Sequence, residues 1–356
     1  MKRRLAITYA IFLTVLLVAG FIGVFVFAWF ATGWRPIIEA IYSFILSFIL
    51  APVVHELGHV TFAAIHGMEC VYFKAFCFRV ALKNGKKRFA VTSPFTPDET
   101  QVIPKRGGDM QKRATAYTLG GLIFSGAFLA TILIAAVVCA CVGHTRFDLW
   151  GLTPYVAYLF LLNLPPFEYH SGKTDTLVYR GIKKGEAAEK NMLAAMEIQG
   201  QLYEGKSFAE IDEKFYTDVP QLCEDEPLFA VMTDLRYRYY LEKKDFDRAA
   251  DNLNRLTQAQ EYLPEEEIIK IAAEFTYMHS INGDIERAEE TGEFCHEYLI
   301  EENLTAKRIL MAYMCACGNT ISVEHLKEQV DEIAQKERIA GVRKFEKILI
   351  SRIETV

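Results

Sequence analysis

The sequence predicts a mainly α-helical protein with a polytopic membrane core of about four transmembrane helices, followed by a soluble all-helical domain. Long apolar stretches fill the first half, and the charge changes sign between the halves. Up to Asp175 the chain has 16 Lys and Arg against 9 Asp and Glu, whereas from Thr176 onward it has 23 against 36. Such asymmetry is typical of a membrane part joined to an acidic soluble part. We therefore predict a membrane domain over residues 1–182 and a soluble domain over residues 183–356.

Four apolar stretches carry the prediction of transmembrane helices. The first three reach the length of about 20 residues that crosses roughly 30 Å of hydrocarbon, and the fourth is at the short end of that range. The first stretch follows a basic start, but its apolar run is about twice as long as the core of a signal peptide, so it predicts a retained anchor. The predicted spans are residues 5–33, 37–66, 116–143 and 149–164.

Basic residues predict the orientation of these spans. Lys2, Arg3 and Arg4 precede the first span, and the loop between the second and third spans, residues 68–115, has ten Lys and Arg against four acidic residues. Loops rich in Lys and Arg face the cytosol, and two crossings return the chain to the same side. We therefore expect a multi-pass integral membrane protein with both termini in the cytosol.

Outside the spans, the pattern predicts one small β element and a set of helical pairs. Apolar runs on either side of Asn84-Gly85 predict a β-hairpin over residues 71–91, and the proline- and glycine-containing segment 93–108 predicts a loop. In the soluble half, the segments 245–249 and 284–288 recur 39 residues apart. This spacing loosely resembles tetratricopeptide-type helical repeats, whose period is about 34 residues. An irregular all-helical domain remains the alternative.

The segment His55-Glu56-Leu57-Gly58-His59 lies inside the second span and predicts a metal site. Two histidines four residues apart lie on one face of a helix, and both can reach one zinc ion at about 2.0–2.1 Å. Glu56 is placed to take a proton from water at that metal. Ionisable groups within a membrane helix are costly, and zinc would give them a partner. The motif lies about 30 Å from the start of its helix, near the cytosolic side.

A third metal ligand must come from elsewhere in the chain. His66 lies on the same helical face but about 10.5 Å further along the axis, too far for one ion to bridge. The segment 163–175 follows a helix that is broken by two prolines, and such backbone is tolerated at membrane depth only where it lines a cavity. Asp175 is our leading candidate from this segment, and Glu168 and His170 remain open.

Three motifs together resemble the site-2 protease family of intramembrane zinc metalloproteases. They are residues 55–59 in the second span, residues 120–125 at the start of the third span, and Asn163-Leu164-Pro165 leading to Asp175. The resemblance covers about residues 37–175. It implies that zinc is held by His55, His59 and Asp175, with Glu56 as the general base.

The resemblance also implies that Asn163 lies near the active site and contacts substrate. Some positions depart from the family pattern. Thr176 stands where the family usually has glycine after its aspartate, and Leu122 and Ser125 stand where it often has proline and asparagine. These departures remove neither a metal ligand nor the general base. They affect the expected geometry of the loop and the expected alignment of the substrate.

The function that the resemblance implies is hydrolysis of peptide bonds in membrane-spanning or membrane-associated proteins or peptides. An edge of the 71–91 hairpin could pair with an extended substrate, and the soluble helical domain could bind a protein partner. The alternative is a non-catalytic membrane adaptor that uses the soluble domain for protein binding. A small carrier is less favoured because the span pairs show no inverted repeat. No nucleic-acid partner is predicted.

Overall fold

The computed structural model describes residues 2–31, 33–83, 86–170 and 172–353, and it divides into two compact units. Unit 1 comprises Met1–Ile103 and Asp109–Glu186, and unit 2 comprises Pro104–Gly108 and Ala187–Val356. The structure is mainly helical and contains a small antiparallel sheet.

Unit 1 holds five helices and six strands among the described residues. The helices are α1 (Lys2–Trp29), α2 (Arg35–Ile65), α3 (Met110–Cys141), α4 (Phe147–Asn163) and α5 (Asp175–Lys184), and the strands are β1 (Met68–Ala75), β2 (Phe78–Lys83), β3 (Lys86–Val91), β4 (Glu99–Pro104), β5 (Glu168–Tyr169) and β6 (Gly172–Lys173).

Three of the described helices are long and apolar enough to cross a membrane. They are α1 over Arg4–Trp29, α2 and α3. Helix α4 has 17 residues and is therefore about 25 Å long, somewhat shorter than a hydrocarbon core of roughly 30 Å. It packs against all three of the long helices. A fourth span therefore stays a prediction, whereas the membrane character of the other three follows from length and composition.

Helices α2 and α3 touch through their backbones at a pair of glycines. A Cβ added to Gly58 would collide with the carbonyl oxygen of Gly120, and a Cβ added to Gly120 would lie 2.5 Å from the carbonyl oxygen of Gly58. Small residues at such a crossing let membrane helices approach closely. The close approach fixes the face of α3 that lies beside the two motif histidines of α2.

The main sheet has the strand order β3-β2-β1-β4. Strands β2 and β3 form an antiparallel hairpin in which Lys83 lies opposite Lys86, as the sequence predicts, and the expected turn at Asn84-Gly85 lies outside the described residues. The structure adds β1 as an antiparallel partner of β2 and β4 as a neighbour of β1.

Two features of this sheet differ from the sequence prediction. A hairpin over residues 71–91 has one strand before Asn84-Gly85, but the chain there forms two strands and turns at Phe76, which has a φ of 55° and donates its N–H to the Asp98 carboxylate at 2.7 Å. The segment 93–108 was expected to be loop, but it contains β4. Prolines lie before and at the end of β4, so they do not interrupt its pairing, although they give the segment a loop-like composition.

Unit 2 is helical throughout its described part. Its helices are α6 (Ala187–Tyr203), α7 (Lys214–Thr217), α8 (Pro227–Glu242), α9 (Phe246–Gln258), α10 (Glu265–Ile281), α11 (Ile285–Phe294), α12 (His296–Leu299), α13 (Leu304–Ala316), α14 (Thr320–Lys336) and α15 (Ala340–Ile353), with 3-10 turns at Phe208–Glu210 and Gln260–Tyr262.

Three helical pairs in unit 2 share one turn design. In α8/α9, α10/α11 and α13/α14, a residue with positive φ is followed by an N-cap whose side chain accepts a backbone N–H from the second helix. The N-caps Asp245, Asp284 and Asn319 accept from Arg248, Arg287 and Ser322. The residues with positive φ are Lys244, Gly283 and Gly318. The third pair was not recognised in the sequence, because asparagine replaces aspartate at its cap.

The core of unit 2 contains a buried network of charges. The Arg308 guanidinium lies 2.6 Å from carboxylate oxygens of both Glu274 and Glu346, and the Tyr237 hydroxyl donates to Glu274 at 2.7 Å. Burial alone would raise the pKa of Glu274, but the positive charges of Arg308 and Arg238 hold this pKa below its usual value. The network therefore links α10, α13 and α15 through ion pairs and α8 through the Tyr237 hydroxyl.

Arg308→Met is expected to lower the free energy of unfolding by roughly 3–5 kcal/mol, because it leaves two buried carboxylates without their cation. The measurement is denaturant unfolding of the purified protein, followed through the helical signal of unit 2. Arg248→Met is the matched control. Arg248 is 59% exposed in its pair with Asp245, and loss of such a surface pair costs at most about 1 kcal/mol. Equal losses in the two variants would contradict the assignment of Arg308 to a buried network.

Unit 2 also includes the short segment that follows β4. The N–H of Gly108 lies 3.0 and 2.9 Å from the two carboxylate oxygens of Glu197 on α6. A Cβ on Gly200 would collide with the carbonyl oxygen of Arg106. The chain between β4 and α3 is therefore held tightly against α6.

Candidate metal centre

Three potential metal ligands from two distant parts of the chain meet in unit 1. The Nε2 atoms of His55 and His59, one turn apart on α2, are 3.4 Å from each other. Asp175, the first residue of α5, places one carboxylate oxygen 3.4 Å from His55 Nε2 and the other 3.5 Å from His59 Nε2. Two atoms bound to a tetrahedral zinc at about 2.0–2.1 Å would lie about 3.3–3.4 Å apart. The two histidine nitrogens have this spacing, and the Asp175 carboxylate, with one oxygen facing each nitrogen, lies close enough to share one ion with them.

The surroundings of Asp175 also suit a cation. Both histidines are buried, and the Asp175 side chain is 16% exposed. Burial raises the pKa of Asp175 to about 7, and among the described residues no hydrogen-bond donor reaches its Oδ2 atom. A buried carboxylate oxygen without a partner is costly. A metal ion between the three side chains would remove that cost.

The other ring nitrogen of each histidine is held by α3. His59 Nδ1 lies 2.9 Å from the Tyr117 carbonyl oxygen, which can only accept, so Nδ1 carries the proton and Nε2 offers its lone pair to the centre. His55 Nδ1 lies 3.0 Å from the Ser125 hydroxyl, which can accept in the same way. Ser125, one of the departures from the family pattern, therefore orients a ligand.

Gly121 leaves the space that the two imidazoles occupy. A Cβ at this position would lie 2.8 Å from His55 Nε2 and would collide with His59 Nε2. The sequence indicates only that glycines here favour close helix packing. The structure shows that Gly121 borders the ligand atoms themselves.

Asp175 is positioned by a set of hydroxyl groups at the broken end of α4. The prolines after α4 remove N–H groups that would continue the helix, and four carbonyls at this end accept side-chain hydroxyls, although the Pro165 carbonyl also accepts the Phe167 N–H at 2.9 Å. Thr174 also caps α5 by accepting the Leu177 N–H at 3.3 Å. The hydroxyls of Tyr9, Tyr169, Thr176 and Thr174 donate to the carbonyls of Leu161, Leu162, Asn163 and Pro165 at 3.0, 3.4, 3.0 and 2.8 Å. Thr176, where the family usually has glycine, thus anchors the loop that carries Asp175.

Glu56 lies beside this group and is held by β4. The Thr100 hydroxyl donates to Glu56 Oε2 at 2.6 Å, and both side chains are buried. The Tyr117 hydroxyl in turn donates to the Thr100 carbonyl. Sequence reasoning missed Thr100 because β4 was expected to be loop, and no local pattern marks its contact with a residue 44 positions away.

The remaining candidate residues lie outside the ligand group. The Asn163 side chain donates to the Leu159 carbonyl at 3.3 Å, and its role toward substrate stays a prediction. His66 Nδ1 lies 2.8 Å from the Phe62 carbonyl at the end of α2. Glu168 and His170, the rivals of Asp175, are exposed. Among the described residues, the cluster that could hold a metal consists of His55, His59 and Asp175.

Comparisons of this chain with protein-family models, with characterised proteins and with solved structures gave no match. The class of the protein can therefore be described only by its structural features. It is a protein with apolar helices of membrane-spanning length and a buried His-His-Asp group.

Proposed function

We propose that this protein is an intramembrane zinc metalloprotease that hydrolyses peptide bonds in membrane-spanning or membrane-associated proteins or peptides. The observation that carries the proposal is the meeting of three ligand side chains: the two histidine Nε2 atoms lie 3.4 Å apart, and each lies 3.4–3.5 Å from one oxygen of the Asp175 carboxylate. Glu56 is the neighbour of His55 on α2. The motif similarity to the site-2 protease family supports the same reaction. On this proposal, the buried polar side chains of α2, His55, Glu56 and His59, belong to a catalytic centre.

Each residue of the site then has a chemical role. Zinc held by His55, His59 and Asp175 would lower the pKa of a water molecule toward about 7 and polarise the scissile carbonyl. Glu56 accepts the proton of the attacking water and passes it to the leaving nitrogen.

A substrate helix must unwind before it is cut, because helical hydrogen bonds occupy its carbonyls. An unwound segment can pair with a free sheet edge, and the sheet ends in β3 on one side and β4 on the other. Strand β4 carries Thr100, which touches Glu56, whereas β3 lies three strand spacings, roughly 14 Å, from β4. We therefore assign the docking edge to β4 and not to the 71–91 hairpin.

We further propose a four-span topology, with α4 as the fourth span and both termini in the cytosol. The support is the basic loop before α3 and the length of α2, whose 31 residues extend about 46 Å.

The successive helical pairs of unit 2 support a role in binding a protein partner, because stacked pairs present a groove. Digestion of sealed vesicles from one side tests the side on which unit 2 lies.

The purified wild-type protein is expected to contain about one zinc ion per chain, measured by elemental analysis. Asp175→Ala and His59→Ala should lose this zinc, because two ligands do not hold the ion tightly. Chelation should stop cleavage of a quenched fluorescent casein probe, and added zinc should restore it.

His66→Ala is the matched control for these variants. His66 lies on α2 but outside the ligand group, so its loss should leave the zinc content unchanged. A wild-type protein that holds no zinc, or a His66→Ala variant that loses as much zinc as His59→Ala, would contradict the proposed centre.

A further inference from the structure

The Glu56 carboxylate is fixed by a single side chain from another element. Thr100 Oγ1 on β4 donates to Glu56 Oε2 at 2.6 Å, and no other hydrogen bond reaches this carboxylate from the described residues. We propose that Thr100 is the positioning residue for the general base and thereby sets the rate of the chemical step. This inference rests on the proposed protease function and deepens it.

The geometry of the contact favours this role over simple packing. Thr100 and Glu56 are 7% and 5% exposed, so water cannot readily replace the hydroxyl. The terminal torsion of a glutamate side chain is broad, and one charge-assisted hydrogen bond can select one orientation. With Oε2 engaged, Oε1 is the oxygen left to accept the proton of the attacking water.

Thr100 is itself held by the residue that orients a metal ligand. The Tyr117 hydroxyl donates to the Thr100 carbonyl, and the Tyr117 carbonyl accepts from His59 Nδ1 at 2.9 Å. Glu56 and His59 both lie on α2, so three hydrogen bonds and the backbone of α2 close a ring through the four residues. The ring fixes the base relative to a metal ligand through β4 and α3. A small shift of β4 would therefore displace the base from the reacting water.

The test separates the hydroxyl of Thr100 from its packing. Thr100→Val keeps the shape of the side chain and removes the donor, whereas Thr100→Ser keeps the donor. Steady-state cleavage of the casein probe is measured on the full-length, zinc-loaded protein in detergent. We expect Thr100→Val to lower kcat roughly ten- to a hundred-fold, the value of a hydrogen bond to a charged group. KM should change by less than about two-fold, because substrate binding is untouched.

Three further measurements make the result specific. Zinc content should equal that of the wild type in Thr100→Val, and Thr100→Ser should recover most of kcat. Thr131→Val is the matched control, because Thr131 is exposed on α3 and, among the described residues, its hydroxyl donates to the Ala127 carbonyl of its own helix at 2.8 Å. Should Thr100→Val fail to fold, Thr100→Ala, which adds no bulk, gives the same readout.

Several outcomes would overturn the inference. They are a kcat of Thr100→Val equal to or above that of the wild type, a loss confined to KM, or a Thr100→Ser variant as slow as Thr100→Val. A wild-type protein that holds zinc but cleaves nothing contradicts the protease proposal instead. The two failures are therefore distinguishable in one set of assays.

Discussion

Glu56→Gln is expected to lower cleavage of the casein probe by roughly 10²- to 10⁴-fold, the usual contribution of a general base. Glutamine has nearly the same shape, and its amide oxygen can still accept the Thr100 hydroxyl, so the site should keep its geometry. The amide cannot take a proton from water near neutral pH. About one zinc ion per chain should remain, because Glu56 is not one of the three ligands.

Glu39→Gln is the matched control for this variant. Glu39 lies on the same helix but forms an ion pair with Arg35 at 2.7 Å, away from the candidate centre. The Glu39→Gln variant should cleave the probe at the wild-type rate. If Glu56→Gln cleaves as fast as the wild type, the protease mechanism is wrong. If neither the wild type nor Glu56→Gln cleaves the probe, and these two proteins behave identically in cells, the adaptor alternative is favoured.

The same variant offers a route to the substrate. A protein that keeps zinc and the shape of the site but cannot start hydrolysis should retain bound substrate longer than the wild type. Membrane peptides that co-purify with Glu56→Gln and not with His59→Ala would be candidates, because the second variant lacks the metal as well.

Gly121→Ala is expected to weaken zinc binding roughly ten- to a hundred-fold and to reduce cleavage in parallel. The added methyl group would occupy the space of the His59 ring nitrogen that faces the centre. The imidazoles would have to rotate or α3 would have to move, and such overpacking costs about 1–3 kcal/mol. Alanine is the better helix former by about 1 kcal/mol, so loss of helix stability cannot explain a weaker site. Competition with a zinc chelator measures the affinity.

Gly23→Ala makes the same change on α1 at a position with no heavy atom within 4 Å of the added Cβ. It should bind zinc as the wild type does. A Gly121→Ala variant with wild-type zinc affinity would show that the space beside the imidazoles is not limiting, and the close contact at Gly121 would then be a matter of helix packing alone.

Features that are local along the chain could be predicted from the amino-acid sequence alone. Helices α1, α2 and α3 follow from uninterrupted apolar runs, because length and composition decide whether a segment can cross a bilayer. The relation between His55 and His59 follows from the period of a helix. Similarly, the recurrence of the segments 245–249 and 284–288 is visible along the chain, because the entry to a helix is set by residues within one turn. These predictions need no knowledge of how the elements pack.

The distant residues that complete the site become apparent only from the packing of the folded chain. The sequence left Asp175, Glu168 and His170 open as the third ligand, and the hydroxyl anchors at the end of α4, together with the packing of α5 against α3, place Asp175 beside the histidines. Strand β4 was wrongly expected to be loop, because its pairing with β1 depends on a partner that lies far away in the sequence. The contact between Thr100 and Glu56, 44 positions apart, forms only when β4 packs beside α2. Periodicity describes neighbours within a few turns, whereas such contacts depend on the packing of whole elements.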